Sequence, residues 1–88
     1  MYLHLGKNSA VPYKKVIGIF DLELTSQSPR TRAFLSRAQA EGRVEAVSDE
    51  LPTSFVLCQG DGKTKVYLSQ ISAATLGKRA EKQFGDGG

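Results

Sequence analysis

Two runs in the second half of the chain leave it little conformational freedom. Ser54–Gln59 and Lys63–Leu68 are rich in β-branched, aromatic and aliphatic residues, and only Gly60-Asp61-Gly62 separates them. So short a glycine-rich link turns the chain back on itself, and the two runs are expected to pair as an antiparallel hairpin. Thr64, Val66 and Leu68 alternate with Lys65 and Tyr67, the period of a half-buried strand. Almost without a loop, this strand passes into a helix predicted from about Ala73 to Gln83, with Ser72 at its cap. Lys78-Arg79 then fall in its last turns, where cations complement the helix dipole.

The first half carries the remaining elements. Tyr2–Leu5 reads as a strand stopped by the turn signal Gly6-Lys7-Asn8-Ser9. Ala10–Tyr13 is a second strand, and Pro12, which lacks an N–H, confines it to an edge or a bulge. Val16–Leu22 is the clearest strand, apolar on both faces, so it is expected either central in its sheet or covered on both sides. Gly18 within it signals a bulge or a close backbone approach. Ser28-Pro29 opens a helix, with serine as N-cap and proline at the first helical position. Thr31, Phe34, Leu35 and Ala38 share one face of that helix, Arg30 and Arg37 share the stripe beside it, and Gly42 is its stop. Arg43–Val47 is a short strand, followed by a polar loop over 48–52. The pattern predicts an α+β fold: a mainly antiparallel sheet with two short helices. A single domain is expected over 1–80, with 81–88 as a frayed tail.

Composition narrows the function. A domain of 88 residues buries only about 60–65% of the surface its unfolded chain exposes, so oligomerisation is a natural way to cover more apolar area. No apolar run approaches the roughly 20 residues of a membrane-spanning helix, and the first residues lack the features of a secretory signal. A single cysteine rules out an internal disulfide. These features fit a soluble, cytoplasmic protein with no membrane partner. The net charge is +3, and all of the surplus lies in residues 1–47, where seven basic side chains meet four acidic ones. Such asymmetry suggests one basic face, modest on a monomer and substantial when repeated round an oligomer.

Catalytic and metal chemistry find no support. His4 is the only histidine and has no cysteine or carboxylate cluster near it in sequence, so a structural role is the better assignment. Cys58, on a predicted strand between Leu57 and Gln59, is a small buried thiol. Gly60-Asp61-Gly62 is too short for a phosphate loop and lacks its lysine. No nucleophile motif is present, and the chain is read as a non-enzyme without catalytic residues, cofactor or metal. Lys14-Lys15 is the constellation with functional content. Two lysines at a tight turn beside Tyr13 can present paired charges to phosphates. The bland alternative is solubility and protection of a sheet edge. For Arg30, Arg32 and Arg37 the bland alternative is a solvated helix face whose stems cover apolar surface.

Three segments together resemble the Rem family, small bacterial regulators of extracellular-matrix (biofilm) genes. They are Met1-Tyr2-Leu3-His4-Leu5-Gly6, the turn Val11-Pro12-Tyr13-Lys14-Lys15-Val16-Ile17, and the strand-to-helix run from Val66 to Ala80. The resemblance covers the chain from Tyr2 to about Ala80, and the RemB-like branch is the more similar. It implies a cytoplasmic regulator that assembles into a ring-like homo-oligomer and binds double-stranded DNA round the ring by multivalent phosphate contact and bending. The family's basic DNA-contacting residue in the turn falls on Lys15, with Lys14 either assisting or pointing away. The helix entered through Pro29 belongs to the subunit-packing region, which assigns Pro29, Arg30 and Arg37 to the oligomer interface. One departure stands out. The RemA branch contacts DNA through adjacent arginines in the loop before the hairpin, whereas here that loop reads Ser48-Asp49-Glu50-Leu51-Pro52-Thr53. Either DNA binding rests on Lys14, Lys15, Lys63 and Lys65, or the assembly serves as an interaction protein for another regulator.

Overall fold

The computed structural model describes residues 1–85. Strands β1 (Tyr2–Gly6) and β2 (Ser9–Pro12) form an antiparallel two-stranded sheet. A single 3₁₀ turn, Tyr13–Lys15, leads into β3 (Val16–Asp21), the one-turn helix α1 (Leu22–Thr25) and α2 (Pro29–Ala40). Strands β4 (Val44–Ala46), β5 (Ser54–Gln59) and β6 (Thr64–Ser69) complete a second sheet in the order β3-β5-β6-β4, and α3 (Ala73–Gly85) follows. The hairpin forms as its sequence requires, with Ser54 opposite Ser69 and Gln59 opposite Thr64. β4 runs parallel to β6, so the larger sheet is mixed while its other two pairings are antiparallel.

The four-stranded sheet is covered on both faces, and strand alternation decides which residue goes where. Val56 and Cys58 of β5 join Leu3, Leu5, Val11 and Leu76 in a core beneath the small sheet and α3. Phe55 of β5 and Val66 of β6 point the other way and pack with Ala38 of α2, backed by Phe34 and Leu35. Buried serines tie the layers together. The Ser69 hydroxyl donates to the Leu5 carbonyl and accepts the Ile71 N–H, while Ser54 donates to the Ile71 carbonyl at 2.7 Å.

Several expectations need correction. Among the described residues there are three helices and a 3₁₀ turn rather than two helices. The strand expected through Leu22 ends at Asp21, and Leu22 instead opens α1, whose remaining residues carry no assignment from the sequence; Asp21 caps that helix by accepting the Leu24 N–H at 2.8 Å. β3 is an edge strand, so of the two alternatives for it the central place fails and the coverage on both sides holds. Its two-faced apolar pattern arises because Ile19 packs into one core and Phe20 into the other. Gly18 does sit at a bulge, and a Cβ there would fall 2.7 Å from the Phe20 ring. Ser28 holds the N-cap position of α2, yet its side chain makes no capping bond. Gly42 stops the helix as expected, with φ +74°. Ser72 caps α3 by accepting the Thr75 N–H at 3.1 Å. That helix passes through the boundary drawn at residue 80 and continues to Gly85, so 81–85 are helical; 86–88 lie outside the described residues. Arg79 is consequently mid-helix, and its guanidinium donates to the His4 carbonyl at 3.1 Å.

Candidate nucleic-acid interface

The 3₁₀ turn that carries Lys14 and Lys15 follows from its neighbours. Pro12 ends β2 with φ −60°, and the Val16 N–H closes the turn on the Tyr13 carbonyl. Tyr13 fixes the turn at both ends of its own side of the fold: its N–H donates to the Met1 carbonyl at 3.1 Å, and its hydroxyl donates to the Arg79 carbonyl at 3.2 Å. Both lysines project from this anchored turn as exposed side chains.

Lys15 lines a cleft of about 270 Å³ between the end of β2 and the β5–β6 hairpin, together with Pro12, Asp61, Lys65 and Tyr67. The fold thus brings Lys15 and Lys65 to one cleft although 50 positions separate them in the sequence. Lys14 neighbours Lys15 in the turn but does not line the cleft. Lys65 is held in place by two contacts. Its ammonium lies 3.1 Å from a Glu45 carboxylate oxygen and 5.0 Å from the centre of the Tyr67 ring. The hydrogen bond to Glu45 pushes the Lys65 pKa above its ordinary value, and burial opposes this only in part. Lys65 therefore stays a cation throughout the neutral range.

Lys63 is positioned differently. It does not line the cleft, and its ammonium lies 3.7 Å from Glu41, just past the end of α2. Glu41 is also bound by Arg43 at 2.8 Å, and the Arg43 hydrogen bond, with Lys63 nearby, holds its carboxyl below the usual carboxylate range. Arg43 goes on to donate to the Thr64 carbonyl and hydroxyl, both at 2.9 Å. This cluster fastens the end of α2 to the start of β6.

Pro29, Arg30 and Arg37 are all exposed along α2. Arg32, on the same helix, donates to the Ser26 carbonyl at 2.7 Å. Cys58 is buried, and desolvation raises its thiol pKa, so the thiolate that oxidation or metal binding needs is disfavoured. Glu45 and Tyr67 escaped the sequence-based selection. They sit opposite each other across the parallel β4–β6 pair, and no local signal announces that pairing.

The arrangement is suited to an anion that can approach two lysines across an open cleft, which Asp61 also lines. Among the described residues no helix is long and apolar enough to cross a membrane. No family model matches the chain. Over 84 residues it is 33% identical to extracellular matrix regulatory protein B of Bacillus subtilis (strain 168), covering 96% of this chain and 95% of that protein. The likeness therefore extends through the small sheet, the lysine turn, the hairpin and the final helix, and the chain belongs to the Rem family of bacterial extracellular-matrix regulatory proteins.

Proposed function

We propose that this protein is a DNA-binding regulator of extracellular-matrix genes, acting in the cytoplasm as a ring-like homo-oligomer. The observation that carries the proposal is the convergence of Lys15 and Lys65 on one cleft, with Lys14 beside them on a turn anchored by Tyr13. The regulatory role is supported by the name of the Bacillus relative. A single cleft offers few phosphate contacts; repetition round a ring multiplies them and lets duplex DNA follow the ring by bending. Pro29, Arg30 and Arg37 then belong to subunit packing. No catalysis, cofactor or metal enters this function.

A second reading is favoured by the exposed carboxylates of Asp49 and Glu50 and by the partial neutralisation of Lys65 by Glu45. In that reading the oligomer binds another regulator protein and leaves DNA alone. Binding of a short duplex at two salt concentrations separates them. For the first, log affinity falls with log salt at a slope of about −0.9 per phosphate contact, and Lys14→Ala/Lys15→Ala loses most of the affinity while staying oligomeric. Lys63→Ala retains most of it, because Lys63 is engaged with Glu41 outside the cleft. An intact oligomer that ignores DNA even at low salt supports the second.

A further inference from the structure

The α2 face of the larger sheet is incompletely covered. An open groove of about 310 Å³ runs beside the start of α2, walled by Phe20, Phe34, Phe55 and Leu57, with Arg30 at its rim. Phe20 and Phe55 stack within it, ring centroids 4.9 Å apart. Phe20 belongs to β3, whose outer edge has no strand partner among the described residues. The Arg30 guanidinium has no ion-pair partner among the described residues either. The groove is thus apolar inside and positively charged at its margin.

A surface of complementary character stands elsewhere on the chain. Leu51 is 86% exposed, the most exposed large apolar residue described, and Asp49 and Glu50 precede it. Neither carboxylate makes an ion pair among the described residues. The loop is nevertheless tethered at both ends, on its N-terminal side by the Val47 N–H, which donates to the Leu68 carbonyl at 2.9 Å. Within it the Ser48 hydroxyl accepts the Glu50 N–H at 3.1 Å, and at its far end Thr53 donates its N–H to the Ser69 carbonyl at 2.8 Å and its hydroxyl to the Gln70 carbonyl at 3.1 Å. A projecting leucine on a tethered loop loses little conformational freedom on docking. Leu51 does not line the aromatic groove of its own chain.

We infer that the Asp49–Leu51 loop of one copy of this chain docks in the Phe20/Phe34/Phe55/Leu57 groove of a second copy, with Leu51 as the apolar anchor and Glu50 against Arg30. This rests on the homo-oligomer proposed above and identifies the contact that builds it. It also gives the acidic loop a function: it faces a neighbouring subunit, and the lysine cleft is left for DNA.

The test measures mass by light scattering, at micromolar concentration, for the wild type and for Leu51→Asp, Arg30→Glu and Glu50→Arg, with circular dichroism to confirm folding. The wild type is expected to be oligomeric, and each variant to fall toward the 9.5 kDa of a single chain. Mixing Arg30→Glu with Glu50→Arg, or combining both changes in one chain, restores the larger mass; a misfolded variant could not be rescued in this way. An oligomer whose mass is unchanged by Leu51→Asp, or charge-swapped variants that fail to complement, overturns the inference but leaves the homo-oligomer intact; the groove then belongs to a segment of another protein. A monomeric wild type overturns the inference and the homo-oligomer together.

Discussion

Glu45 is the residue whose removal tests most directly the proposal that the lysine cleft binds phosphate. Its carboxylate holds Lys65 at 3.1 Å and so competes with any phosphate for that ammonium. Both side chains are substantially exposed, 42% for Lys65 and 49% for Glu45, so solvent screens the pair. Exposed pairs of this kind contribute about 0.2–1 kcal/mol. Glu45→Gln keeps the shape, releases Lys65 and removes one negative charge from the margin of the cleft. Freeing that interaction should tighten duplex binding by about 1.4- to 5-fold for each cleft engaged, taking tenfold as about 1.4 kcal/mol. If Lys65 then takes up a phosphate, the salt slope steepens by about 0.9 per cleft. The assay is fluorescence anisotropy of a labelled duplex across a salt series, with Lys65→Gln as the counterpart that loses affinity. Unchanged affinity and slope in Glu45→Gln, alongside lost binding in Lys15→Ala, would refute the argument. Lys65 would then be a structural lysine and the DNA site would end at the turn.

Two further predictions concern the scaffold. Ser69→Ala removes a fully buried hydroxyl that bridges the Leu5 carbonyl and the Ile71 N–H, and should destabilise the fold by about 2–3 kcal/mol in urea unfolding. A loss below about 0.5 kcal/mol would mean that water replaces both bonds. The depressed Glu41 pKa contributes stability that is present above the ordinary carboxylate value of 4.5 and is lost as pH falls below it. Glu41→Gln should therefore flatten the acid limb of a stability–pH profile and leave the neutral region with a constant offset; an unchanged acid limb would show that Arg43 and Lys63 do not hold the carboxylate in solution.

Local signals made much of this fold legible. The Gly60-Asp61-Gly62 link, the Ser72 cap and the Gly42 stop each depend on a few neighbouring residues, and each appears where its sequence indicates. Sheet order depends on contacts far apart in the chain, and for that reason β3 was legible as a strand covered on two faces but not as an edge. The missed α1 had a readable sign in Asp21, an N-cap residue three positions before Leu24, which the apolar run through Leu22 masked. At the site, Lys14 and Lys15 were legible as a turn pair. That Lys65 shares a cleft with Lys15 while Lys63 turns toward Glu41 is a matter of tertiary geometry. So is the pairing of Lys65 with Glu45, fixed by a parallel register that no turn residue encodes.

The bonds around Tyr13 and Arg79 have a consequence for how the protein is made. The Tyr13 hydroxyl reaches a carbonyl 66 residues later, Arg79 reaches back 75 residues to His4, and Ser69 reaches back 64 residues to Leu5. Contacts of that span raise the contact order, and folds rich in them tend to fold more slowly. Both turn lysines leave the ribosome early, long before the groups that fix them in place. A chain interrupted short of residue 79 would carry these charges without the bonds that Arg79 makes to Tyr13 and His4, so the turn is completed only by the last helix.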